Sequence, residues 1–72
     1  MVYGFDREML AERIKSLRAK RNVTTRELGK AIGVASTTIS KWEKSQTIPS
    51  AENIYNLAKF FNVSPGYLVG VE

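Results

Sequence analysis

Apolar side chains recur along this chain at helical spacing, in short blocks, and strand-like alternation is scarce. In the first block Leu10, Ile14 and Leu17 form the stripe of a helix from about Asp6 to Arg21. Asp6 suits its N-cap, Glu8 falls in the first turn, and Lys20 and Arg21 fall in the last, as the helix dipole favours. Asn22 is the stop signal, because asparagine tolerates the left-handed backbone common just past a helix. The second helix is short, about Thr25 to Ile32, and Thr24 with Glu27 has the T-x-x-E spacing of a capping box. Leu28, Ala31 and Ile32 are its expected inward residues. Gly29 inside it costs about 1 kcal/mol of helix propensity, which points to close approach of another helix.

Gly33 ends the second helix, and Val34 is expected to follow as a buried plug. A third helix from about Ser36 to Lys44 turns Ile39 and Trp42 inward. The polar turn Ser45-Gln46-Thr47-Ile48-Pro49 carries one apolar anchor, Ile48. Ser50 caps a fourth helix, about Ala51 to Phe61, with Ile54, Leu57, Ala58 and Phe61 as its stripe and Asn62 as its stop. Ser64 and Pro65 open a last short helix, about 65–69, carrying Tyr67 and Leu68. The pattern therefore predicts an all-α bundle of five helices in a single domain of 72 residues. A chain this small buries only about 60% of the surface its unfolded form exposes, so its core is modest.

Composition narrows the chemistry. With no cysteine and no histidine, the chain has neither disulfide nor thiolate site, and its carboxylates are not spaced like a calcium loop. No metal and no cofactor is expected. An enzyme is the least expected class, since the usual nucleophiles and bases and any Gly-rich phosphate loop are missing. No apolar run reaches the ~20 residues that span a bilayer, and Met1, Val2, Tyr3, Gly4 and Phe5 do not start like a signal peptide. A cytoplasmic protein without a membrane partner is the expectation.

The formal net charge is +4, and it is unevenly spread. Ten of the eleven basic side chains and five of the seven acids lie in residues 1–44. That portion faces a polyanion better than the rest. The stretch from Thr24 to Glu43 holds two short helices joined by a tight turn at Gly33-Val34-Ala35. The outer face of the second of these carries small hydroxyls and lysines, which is what entry into a major groove ~12 Å wide requires. RNA is a weaker reading, because no aromatic platform is interleaved with the basic residues.

The runs Val23-Thr24-Thr25-Arg26-Glu27-Leu28, Ile32-Gly33-Val34 and Thr38-Ile39-Ser40-Lys41-Trp42-Glu43 resemble the helix-turn-helix of the phage repressor and Cro-like regulators, the xenobiotic-response-element family. Ile48-Pro49-Ser50, Leu57-Ala58 and Phe61-Asn62-Val63-Ser64 match as well, so the resemblance covers about residues 8–70. It implies a compact five-helix, lambda-repressor-like bundle whose third helix reads bases in double-stranded DNA. Carried over by position, Ser36, Thr37, Lys41 and with them Ser40 face base edges. Thr24, Thr25, Thr38, Lys44 and the backbone near Gln46 meet phosphates. Arg18 on the first helix pairs with Glu43 at the end of the third.

The expected role is a transcriptional regulator, above all a repressor that binds a palindromic operator as a homodimer on DNA. Tyr55, Phe60 and Tyr67 are candidates for the dimer surface, while Trp42 and Phe61 are core. Arg7, Arg13, Lys15 and Lys20 are expected to form a solvated face. An antitoxin-type regulator, or a protein-interaction adaptor on the same fold, stays open, as do a second domain beyond residue 72 and a protein partner. Three positions depart from the resembled pattern. Thr25 replaces a glutamine, Gly29 an alanine, and Ala35 the usual hydroxyl cap of the third helix, which shifts the expected cap to Ser36.

Overall fold

A computed structural model describes residues 4–72, so Met1, Val2 and Tyr3 of the N-terminal segment lie outside the described residues. Five helices follow one another: α1 (Arg7–Lys20), α2 (Thr25–Ile32), α3 (Ser36–Glu43), α4 (Ala51–Phe61) and α5 (Pro65–Val69). α1 begins and ends one residue inside its expected span, and α3 ends one residue early, because Asp6, Arg21 and Lys44 are caps rather than helical residues.

Short polar side chains start four of these helices. The Asp6 carboxylate accepts from Met9 N–H at 2.9 Å, the Ser50 hydroxyl from Asn53 N–H at 3.2 Å, and the Ser64 hydroxyl from Tyr67 N–H at 3.0 Å. At α2 the box is reciprocal. The Thr24 hydroxyl accepts from Glu27 N–H at 3.0 Å, and Glu27 Oε1 accepts from Thr24 N–H at 2.9 Å. Each such cap satisfies a donor that the helix leaves unpaired, worth about 1 kcal/mol.

The helix ends share one device. Asn22, Gly33, Ser45, Asn62 and Gly70 all have positive φ, and the residue after each returns a backbone bond into the last turn. Val23 N–H bonds Arg18 O at 3.1 Å, Gln46 N–H bonds Lys41 O at 2.9 Å, and Val63 N–H bonds Ala58 O at 3.0 Å. Asn22 and Asn62 were legible as stops; Ser45, with φ of 60°, was not.

The apolar stripes meet in one core. Leu10, Ile14, Leu28, Ile39, Trp42, Leu57, Ala58, Phe61 and Leu68 are buried together, with Leu17, Ile32, Val34 and Ile54 packed at its margin. α1 supports both α3 and α5, α2 lies against α3 and α4, and α4 touches α5. Three expectations fail here. Ala31 faces solvent, and Val34 is only half-buried, because the turn that carries it stands at the edge of the bundle. In the α3–α4 loop Pro49 is buried, whereas Ile48 is 45% exposed and anchors nothing.

Candidate nucleic-acid interface

The turn between α2 and α3 fixes the presentation of α3. Gly33 takes φ of 81°, and both Gly33 N–H (2.8 Å) and Val34 N–H (2.9 Å) bond to Gly29 O. A β-carbon on Gly29 would stand 2.5 Å from Val34 O and 3.3 Å from Ser36 N. The space Gly29 leaves is therefore filled by the backbone of the turn, not by a packed helix as the sequence suggested. α2 and α3 are locked at a contact that leaves no room for a side chain.

Buried Ile39 and Trp42 pin one side of α3 to the core. At about 100° per residue, Ser36, Thr37, Ser40, Lys41 and Lys44 fall within one arc on the opposite side. Thr37, Lys41 and Lys44 are exposed, and Ser36 and Ser40 are half-buried at the margins. The four residues expected to read bases thus lie together on one surface. No side-chain hydrogen bond caps α3, whose N-cap is Ala35. The expected transfer of the cap to Ser36 does not occur, because Ser36 already stands at the first helical position, one residue too late to cap the helix. Its hydroxyl is not taken from the outer face.

The one acid of α3 is turned away from that face. Arg18 Nε donates to Glu43 Oε2 at 2.7 Å and Arg18 Nη2 to Glu43 Oε1 at 2.9 Å, a two-bond fork. Arg18 Nη1 also donates to Val23 O at 3.0 Å. A single guanidinium therefore ties α1 to the entrance of α2 and to the end of α3. Its bond to Glu43 raises the Arg18 pKa further above its ordinary value, against the opposing effect of burial. With Glu43 neutralised on the inner side, the outer face of α3 carries only hydroxyls and cations.

The residues expected at phosphates lie at the two ends of this surface. Thr24 caps α2 with its hydroxyl oxygen, which leaves the hydroxyl hydrogen available to an anion. The Thr24 N–H and hydroxyl together hold the Glu27 carboxyl below the ordinary carboxylate range. Thr25 and Thr38 are half-buried, and Lys44 is exposed at the C-cap of α3. Gln46 requires a correction. Its backbone N–H is spent on Lys41 O in closing α3, so its exposed side chain is the part free to meet a phosphate.

Tyr55, Phe60 and Tyr67 do not form one patch. Tyr55 is 56% exposed, whereas Phe60 stands edge-on to Phe61 with ring centroids 5.0 Å apart. The guanidinium carbon of Arg13 lies 4.2 Å from the Tyr67 ring centroid, and Arg13 also donates to the Tyr67 carbonyl. Arg13 therefore does not belong to a solvated face. Arg21 was likewise missed as a contact. It donates to Phe60 O at 3.2 Å and Phe61 O at 2.6 Å, capping α4 from the end of α1. An open groove of about 400 Å³ between α2 and α4 is lined by Ala31, Ile32, Asn56, Lys59 and Phe60. Among the described residues no three carboxylates converge as metal ligands, and no helix is long and apolar enough to cross a membrane.

Residues 14–68 match the family model described as helix-turn-helix. Over 62 residues the chain is 40% identical to the repressor protein C2 of Salmonella phage P22, covering 86% of this chain and 29% of that protein. It is 34% identical over 61 residues to the HTH-type transcriptional activator BcrR of Enterococcus faecalis, covering 85% of this chain and 30% of the relative. The chain thus spans less than a third of the length of either. The P22 c2 repressor crystallised with a synthetic operator superposes with a TM-score of 0.84 at 39% identity, covering 89% of this chain and 97% of that one. With its five-helix architecture and the α2–turn–α3 unit, the chain belongs to the Cro/C1-type helix-turn-helix family.

Proposed function

We propose that this chain is the operator-reading domain of a transcriptional regulator, most simply a phage-type repressor. α3 enters the major groove of double-stranded DNA, and two copies sit on a palindromic site. The observation that carries this reading is the outer face of α3. Ile39 and Trp42 fix its inner side, Arg18 removes the charge of Glu43 from it, and Ser36, Thr37, Ser40 and Lys41 remain outward. Lys41 donates to guanine O6 or N7, and the hydroxyls donate or accept at either base type. Short hydroxyls cannot make the two-bond contacts of longer side chains, so much of the specificity rests on Lys41 and on bridging water.

Phosphate contacts from Thr24, Thr25, Thr38, Lys44 and the Gln46 side chain set the register of the helix in the groove. The P22 relative, whose crystal contains an operator, supports this placement. Repression follows from occupancy of a promoter. The role is one of binding, since the chain offers neither cysteine nor histidine for catalysis. Its place of action is the cytoplasm, with DNA. Selection of bound duplexes from a randomised library at roughly physiological salt tests the proposal, because non-specific binding is weak there. A palindromic motif is the expected result. No enrichment would favour an adaptor that uses the fold without reading sequence.

A further inference from the structure

The N-terminal turn of α1 reaches the end of α3. Arg7 Nη1 donates to Ser45 O at 3.4 Å, and the Ser45 hydroxyl donates back to Arg7 O at the same distance. Ser45 lies between Lys44 and Gln46, both exposed and both at the proposed phosphate edge. The Arg7 guanidinium, itself exposed, is therefore neighbour to that edge although it belongs to another helix, 38 residues away in sequence.

From this juxtaposition we propose that Arg7 is a further phosphate-contacting residue, which extends the Lys44–Gln46 edge of the interface onto α1. The inference rests on the DNA-reading function proposed above. A guanidinium carries five N–H donors, and the contact with Ser45 uses one of them. That bond is at the long limit of hydrogen bonding and open to water, so it holds the side chain in place weakly. A phosphate offers two oxygens in the geometry the guanidinium fork matches, and it wins the competition with a distant carbonyl. Arg7 is also positioned at the C-terminal end of α3, where carbonyl groups draw a cation toward the helix that reads the bases.

The test is the salt dependence of binding to the selected duplex, measured for the wild type, Arg7→Gln and Lys15→Gln. Loss of one phosphate contact lowers the slope of log K against log salt by about 0.9 and weakens binding about fivefold at ~0.15 M salt. Arg7→Gln is expected to show both effects with equal loss on selected and scrambled duplexes, and Lys15→Gln is expected to show neither. An unchanged slope for Arg7→Gln, with the wild type still binding its site, would overturn the assignment of Arg7 and leave the DNA-reading proposal intact. A wild type that enriches no duplex would instead remove the proposal on which this inference stands. Thermal melts of the variants separate the two roles of the Ser45 contact. A lowered melting point with an unchanged slope makes Arg7 a cap of α3 and nothing more, which contradicts the proposal.

Discussion

Arg18 Nε lies 2.7 Å from Glu43 Oε2, and the same guanidinium closes a second bond to Glu43 and a third to Val23 O. The pair joins residues 25 positions apart, with 21% of the arginine and 8% of the glutamate side chain exposed. Its partners are therefore costly to strand. Arg18→Ala leaves a mostly buried carboxylate and the Val23 carbonyl without their donor, and should cost about 2–3 kcal/mol. Glu43→Ala should cost less, because the more exposed arginine regains water. The double variant should cost less than the sum of the two, as expected for residues in direct contact. Denaturant melts of the four proteins measure this; strict additivity would show that the fork contributes nothing of its own.

Gly29 makes the opposite kind of prediction, about a contact with no side chain. A β-carbon there would press on Val34 O at 2.5 Å, a backbone atom that moves only if the helix-turn-helix opens. Gly29→Val should therefore destabilise the fold by about 1–3 kcal/mol, the usual cost of overpacking. Valine's better helix propensity than glycine's acts the other way and is too small to compensate. A melting point equal to that of the wild type would mean that the turn relaxes freely.

Ser45 holds a left-handed conformation, φ 60°, in the bonding pattern that glycine usually supplies at a helix end. Ser45→Gly removes the steric cost of a β-carbon there and should stabilise the protein by about 0.5–1 kcal/mol. The serine hydroxyl bond it sacrifices is long, 3.4 Å, and exposed. Thermal denaturation decides the matter, and a fall in melting temperature would show that the Arg7–Ser45 contacts matter more than the strain.

The Glu27 carboxyl is held below its ordinary range by the Thr24 N–H and then by the Thr24 hydroxyl. The capping box thus adds stability above the unfolded-state pKa of glutamate and loses it as the pH falls through the lower folded value. A carboxyl-detected NMR titration should place Glu27 lower in the folded protein than in the urea-unfolded chain. Equal values in the two states would show that the box does not distinguish the charged form.

Much of this architecture is local and therefore legible in the chain. Asp6, Thr24, Ser50 and Ser64 each bond a backbone donor three residues ahead, so spacing alone reveals them. Leu10, Ile14, Leu28, Ile39, Trp42, Leu57 and Phe61 lie on stripes whose period is set by the helix itself. The outer face of α3 is readable for the same reason, as the complement of Ile39 and Trp42. Arg13 on Tyr67 and Arg21 on Phe61 O join residues 54 and 40 positions apart, and no periodicity encodes that meeting. Both arginines look solvated until the fold folds α4 and α5 back against α1. Gln46 was misjudged by one atom, because the sequence does not say that its N–H closes α3. Ala31 and Ile48 fail for a simpler reason: they are apolar, but the neighbouring helices do not extend far enough to cover them.

The central claim is that Lys41 reads a base while Lys44 holds the backbone. Its most direct test is the affinity of the wild type, Lys41→Ala and Lys44→Ala for the selected duplex and for a scrambled duplex of equal length, across a salt series. Lys41→Ala should lose about 1–3 kcal/mol of discrimination between the two duplexes. Lys44→Ala should weaken both alike and lower the salt slope by about one unit. If both variants instead weaken selected and scrambled DNA by the same factor, α3 does not divide base reading from phosphate contact in this way, and the account of its outer face is wrong.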